Sequence, residues 1–143
     1  MKKYIALVVC MMLALSAPLA NAESTAALGR EMAANGQNVF KVTVTGDLTT
    51  QNVQDLIISA LEHRKWTVKS KADGKIEAEL DAVARRNLFG KLTITFDNKV
   101  ITITDNSVDE KGTPIVIMRW VNYLITDIRN GMNSAPVTAP AKS

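Results

Sequence analysis

The stretch TTQNVQDLIISALEHRKWTVKSKADGKIEAEL, Thr49 to Leu80, changes its hydrophobic period part-way along, and that change decides the fold. In its first half Val53, Leu56, Ile57, Ala60 and Leu61 recur at the spacing of one helix face. The Thr49-Thr50 pair in front of them offers hydroxyls suited to an N-cap. In its second half Trp66 and Val68 alternate with Thr67 and Lys69, while Ile76, Ala78 and Leu80 alternate with Glu77 and Glu79. That two-residue period belongs to strands with one buried face. Ala72-Asp73-Gly74 between the runs reads as a hairpin turn and sets Lys69 near Glu77 on the solvent face.

Before the helix, Phe40, Val42 and Val44 alternate with Lys41, Thr43 and Thr45, a strand that Gly46-Asp47 ends. After the hairpin, a polar loop with Arg85, Arg86 and Asn87 leads into Leu92, Ile94 and Phe96, alternating with Thr93 and Thr95. Asp97-Asn98 then turns the chain into Val100–Thr104. Thr113-Pro114 is an N-cap followed by proline at the first helical position, which predicts a helix to about Asn130 with a stop at Gly131. The order over residues 39–131 is β-α-β-β-β-β-α, and each strand has one apolar face. A two-layer α+β domain follows, with about five mostly antiparallel strands and two helices packed on one face.

The flanks differ in kind. Lys2-Lys3, the apolar run Tyr4–Leu15, the break at Ser16-Ala17-Pro18 and the small residues of Ala20-Asn21-Ala22 form a secretory signal peptide pattern, cut after Ala22. The apolar run is too short to serve as a transmembrane anchor. Cys10 lies in its middle, not at its end where a lipid-modified cysteine would stand. A mature chain would therefore be cysteine-free, with neither disulfide nor thiolate, although its expected location, the periplasm, permits disulfides. Of 17 Lys+Arg, two lie in the leader, leaving 15 against 14 acids and a net charge of about +1. So small a balance gives no global field for steering nucleic acid. Residues 23–38 read as a short helix with Ser24 as cap and Gly36 as stop. The Pro- and Ala-containing segment 132–143 reads as a disordered tail.

Several pieces together resemble a known group. The helix runs into Arg64-Lys65-Trp66-Thr67-Val68, and Gly74–Leu80, Leu92–Phe96 and Val100–Thr104 follow. A closing helix reads Arg119-Trp120-Val121-Asn122-Tyr123-Leu124 and ends through Ile128. This pattern is similar to a group of small bacterial periplasmic proteins and lipoproteins of unassigned function. Their helix enters a Gly-Trp-x-Val strand and their last helix carries Trp-Val-x-x-Leu-x-x-Ile. Lys65 stands where that group has glycine. The resemblance implies an envelope location and this fold, and it brings no catalytic residues.

The residues themselves point away from catalysis. His63 is the sole histidine, and Glu62 beside it faces another part of the helix surface, so no metal site is expected. No serine elbow or glycine-rich phosphate loop occurs, and no cofactor is implied. Glu77, Glu79 and Asp81 share one strand face, where lysines make them a charge ladder more readily than a glycosidase pair. The Thr-x-Thr units at Thr43/Thr45, Thr93/Thr95 and Thr102/Thr104 read as ordinary exposed strand positions, since a small open sheet twists away from a flat array. Arg85 and Arg86, joined by Lys91, form a candidate anion grip.

The last helix carries two apolar stripes. Ile117, Val121, Leu124, Ile125 and Ile128 make one; Val116, Trp120 and Tyr123, with Met118 adding area, make the other. A single core contact needs one stripe. The second either meets a partner, through Trp120, Tyr123, Val116 and Met118, or is covered in cis by Leu28 and Met32. The leading expectation is a non-enzymatic envelope protein that binds a partner or forms a homodimer through this helix. The alternative is a carrier of a small apolar or anionic ligand.

Overall fold

The computed structural model describes residues 17–82 and 86–135, with side chains from residue 25 onward. Most of the expected leader, Cys10 included, and residues 136–143 lie outside the described residues. The elements are α1 (Ala17–Ala34), β1 (Val39–Thr43), α2 (Thr50–His63), β2 (Thr67–Ala72), β3 (Lys75–Asp81), β4 (Leu88–Phe96), β5 (Val100–Asp105), β6 (Val108–Asp109) and α3 (Met118–Ser134). The strands form one sheet in the order β1-β5-β4-β3-β2, every pairing antiparallel, with the short β6 added against the start of β4. The expected α+β architecture is present, with one more strand than the pattern gave, and the short helix expected within residues 23–38 is part of α1.

The core lies between the sheet and the pair α2 and α3. Val53, Ile57 and Leu61 of α2, Ile76 of β3, Ile94 of β4, Ile101 and Ile103 of β5, and Leu124 and Ile128 of α3 are all fully buried. Each such side chain contributes about 1.5–3 kcal/mol by leaving water. Among the described residues no helix is long and apolar enough to cross a membrane.

α2 begins on a reciprocal cap: the Thr49 hydroxyl accepts from Asn52 N–H, and the Asn52 side chain accepts from Thr49 N–H. It ends by the paired bonds Lys65 N–H to Glu62 C=O and Trp66 N–H to Leu61 C=O, which require a left-handed residue between them. Lys65 fills that position at φ 65. Position 65 is thus one where the backbone favours glycine.

The β2–β3 register differs from the expected one. The turn has two residues, Asp73 and Gly74, so Ala72 pairs with Lys75 and Ser70 faces Glu77. A bulge at Lys69 then shifts the ladder to Val68–Ala78 and Thr67–Glu79. Without that extra residue the pleat would set Val68 against Glu79, on the wrong face. Lys69 consequently pairs with Glu79 at 3.7 Å rather than with Glu77.

Three boundaries also move. α1 runs through Ser24, so Ser24 is not its start, while Gly36 at φ 68 does follow its end. α3 starts at Met118, not at Pro114, because Thr113 is held in a turn by the Asp109 carboxylate and Pro114 bridges to Val108. Ile115 and Val116 run on beneath α1, and Asp105, at the end of β5, reaches 2.9 Å to accept from Ile117 N–H. At the other end α3 passes Gly131, which is a point of close approach to Leu56 of α2 rather than a stop. Met132 is buried in the core, so the tail cannot begin there.

Candidate functional site

The helix-facing side of β4 has a gap at Gly90, and two tryptophans fill it. A Cβ at Gly90 would stand 2.7 Å from Trp66 Cη2 and 3.0 Å from Trp120 Cζ3. The two indoles meet edge to face at 5.8 Å. Trp66 is held there by the left-handed exit of α2, and Trp120 by the first turn of α3. Tyr123 follows one turn after Trp120, 41 % exposed. Its ring lies 4.8 Å from the Arg64 guanidinium and 5.5 Å from that of Arg119, and Arg119 Nε donates to its hydroxyl at 3.1 Å.

Arg64 is committed elsewhere as well. Its Nε and Nη2 donate to the two oxygens of Asp127 at 2.5 and 2.8 Å, a bidentate pair joining α2 to α3. Those bonds hold the Asp127 carboxyl below the usual carboxylate range, with His63 adding a contact at 3.2 Å. His63 thus serves the helix–helix clamp. Among the described residues no three histidine, cysteine or carboxylate side chains gather to hold a metal.

A small cleft of about 170 Å³ opens on these groups, lined by Arg64, Trp66, Leu80, Arg86, Arg119, Trp120 and Tyr123. Arg86 and Arg119 also line a larger neighbouring cleft of about 550 Å³. That second space lies between α1, the β6 turn and the chain entering α3. Its lining includes Leu88, Ile115, Val116 and Ile117 together with Arg30, Asp109, Glu110 and Lys111; Asp109 pairs with Leu88, and Glu110 N–H donates to Asn87 C=O at 3.0 Å, beside Arg86. Arg30 is spent on Asp109 at 3.0 Å. The N–H of Thr113, with further help from Lys111 N–H and Arg30, keeps the Asp109 carboxyl below its ordinary range. Among the described residues neither Arg86 nor Arg119 has a carboxylate within salt-bridge distance. The N-terminus of α3 carries no side-chain cap of its own, and the Asp105 carboxylate meets it at Ile117 N–H.

The sequence-derived candidates fall in several places. Arg86 lines both clefts, Arg85 lies outside the described residues, and Lys91 is on the opposite sheet face across from Glu79, so it cannot join Arg86. Arg119 and Arg64 were missed as site residues; their signal was the aromatic at four residues from one and two from the other. On the opposite face Lys75 and Ser70 hold Glu77 below the usual carboxylate range, and Lys69 meets Glu79, a charge ladder. Thr93 pairs with Thr104 and Thr95 with Thr102 on that same face.

The second stripe of α3 is largely covered from within. Val116 is 3 % exposed, its N–H donating to Gly29 C=O of α1 at 3.0 Å. The cover comes through Gly29 and Arg30; Leu28 points outward at 55 % exposed. Trp120 and Met118 are half-buried, leaving Tyr123 as the open part of the stripe. No protein-family model matches this chain, and no curated protein does.

Proposed function

We propose that the protein is an exported, non-enzymatic binding protein of the cell envelope, whose ligand is an anion held between Arg86 and Arg119. The observation that carries this reading is a pair of guanidiniums that line a shared concavity with aromatic walls and have, among the described residues, no carboxylate within salt-bridge distance. A guanidinium fork matches carboxylate or phosphate oxygens two at a time. The lining groups supply hydrogen-bond donors and aromatic surface, which suits holding a ligand. The envelope location rests on Lys2-Lys3, the apolar run and Ala20-Asn21-Ala22. The test is an amide-resolved NMR titration with inorganic phosphate. Asn87, Leu88, Arg119 and the Trp120 indole should shift together, and Arg86→Gln with Arg119→Gln should abolish the response. Shifts that persist in the double variant would end this reading.

Self-association through α3 is the second reading, and the exposure of Tyr123 favours it. Light scattering across a concentration series tests it: a dimer dissociated by Tyr123→Ala would make this face an interface between copies.

A further inference from the structure

We infer that the anion is a phosphodiester, its charged centre at Arg86 and Arg119 and one organic arm in each of the two clefts that adjoin there. The inference rests on the anion-binding reading above and adds the chemical class. Among the described residues lining the two clefts, Arg86 and Arg119 alone line both, so these cations mark where the clefts adjoin. A carboxylate or a phosphomonoester carries one organic substituent and would leave one of the two spaces unused. A phosphodiester carries two substituents on a single negative centre. Its single charge also suits the lining. Asp109 and Glu110 share the larger cleft with Arg86, so a second negative charge on the ligand would meet carboxylates as well as guanidiniums.

The linings assign the arms. The smaller cleft, about 170 Å³, falls below the ~300–1,000 Å³ usual for a complete small-molecule site, and the larger, about 550 Å³, lies within that range. As one end of a divided site the smaller cleft takes the shorter arm, against Leu80, Trp120 and the open ring of Tyr123. The larger takes an uncharged arm that carries hydroxyls, because its exposed Asn87, Glu110 and Lys111 bring both donors and acceptors. Glycerol meets that description. A glycerol-bearing phosphodiester is therefore the shared chemistry, whether it arrives free or as the head group of a lipid.

The experiment compares inorganic phosphate, glycerol phosphate and bis(glycerol) phosphate by the same NMR titration. The diester should bind about tenfold more tightly than the monoester, the gain of one or two further hydrogen bonds. It should shift amides in both clefts, Leu80 and Tyr123 in one, Leu88 and Lys111 in the other. Leu80→Trp, which fills the smaller cleft, should bring the diester down toward the monoester. If that bulk disturbs the sheet, Asn87→Gly decides instead: it keeps the left-handed backbone at φ 54, removes only the side chain, and should lower diester affinity from the other cleft. Equal affinity for glycerol phosphate and bis(glycerol) phosphate would overturn the diester and leave the anion site standing. No response to any phosphate would remove both readings. Phosphatidylglycerol vesicles separate the two sources. Recruitment that soluble bis(glycerol) phosphate competes away assigns the lipid head group, and soluble binding without recruitment assigns the free diester. Recruitment that the soluble diester leaves untouched, and that phosphatidylserine vesicles match, would mean attraction to surface charge and would overturn the proposal.

Discussion

Two segments of similar importance to the fold are specified in different ways. From Thr49 to Leu80 nearly every determinant is a neighbour in sequence: the Thr49–Asn52 cap, the α2 stripe, the left-handed Lys65 and the Asp73-Gly74 turn. From Asp105 to Met118 the decisive bonds reach further along the chain or to other elements, beside the local Asp105–Ser107 bond. Asp105 holds Ile117 N–H and Ser107 N–H, the Ser107 hydroxyl accepts from Lys91 N–H, and Gly29 C=O holds Val116. A local segment announces itself through period and capping. A segment fixed by distant partners offers only its residue types, and Thr-Pro there looked like a helix start.

The largest expected effect breaks the distant set. Asp105 is 3 % exposed and each carboxylate oxygen accepts one backbone N–H. Asp105→Ala should cost about 3 kcal/mol, because one buried and one half-buried N–H lose their acceptor. Thr49→Ala, the corresponding cap removal in the local segment, should cost about 1 kcal/mol. Urea denaturation of both variants measures the ratio, and equal losses would mean that the distant contacts carry no special weight.

Gly29→Ala tests how α1 is attached. In a solvent-facing helix position alanine would stabilise by up to about 1 kcal/mol. Here its Cβ would stand 2.5 Å from the Val116 carbonyl oxygen, a backbone atom with no side-chain freedom to yield. The variant should lose about 1–2 kcal/mol net, with faster hydrogen exchange at the Val116 amide. A gain in stability would show that α1 rests only lightly on the domain.

Lys65→Gly sharpens the local side of the comparison in the opposite direction. A lysine at φ 65 carries a steric cost that glycine lacks, set against the greater freedom of glycine in the unfolded chain. The expected result is a gain of about 1 kcal/mol and a melting point higher by a few degrees.

How much could be read in advance follows the same division. α2, both faces of β3 and β5, and the two-layer arrangement were legible because their apolar residues repeat with one period. The bulge at Lys69 was not, since only the geometry of a two-residue turn requires it. Gly131 and Gly90 were ambiguous as letters: a glycine marks a helix stop, a bend or a close approach alike. Only the neighbours Leu56, Trp66 and Trp120 decide which. At the site, Arg86 was visible as a loop cation. Arg64 and Arg119 join it because α2 ends and α3 begins on the same side of Gly90, a fact of tertiary packing.

The smallest effect concerns the clamp between α2 and α3, where local and distant specification meet. Arg64 lies one residue past α2 and its place is set locally, while Asp127 comes from α3. With its carboxyl held below the usual range, chiefly by the Arg64 bonds, Asp127 contributes stability that is present above the unfolded-state value near 3.8. That contribution is lost as pH falls through the lower folded value. The stability difference between the protein and Asp127→Asn should therefore be flat from pH 7 to about 5 and shrink below about 4. Salt should reduce it, since Arg64 is one-third exposed and His63 mostly so. Because Arg64 also lies against Tyr123, losing the clamp should change Tyr123 fluorescence in the same pH window. A difference that stays constant down to pH 2 would mean that Asp127 acts through packing alone, and that the cation under the aromatic cleft is held by α2 without help from the last helix.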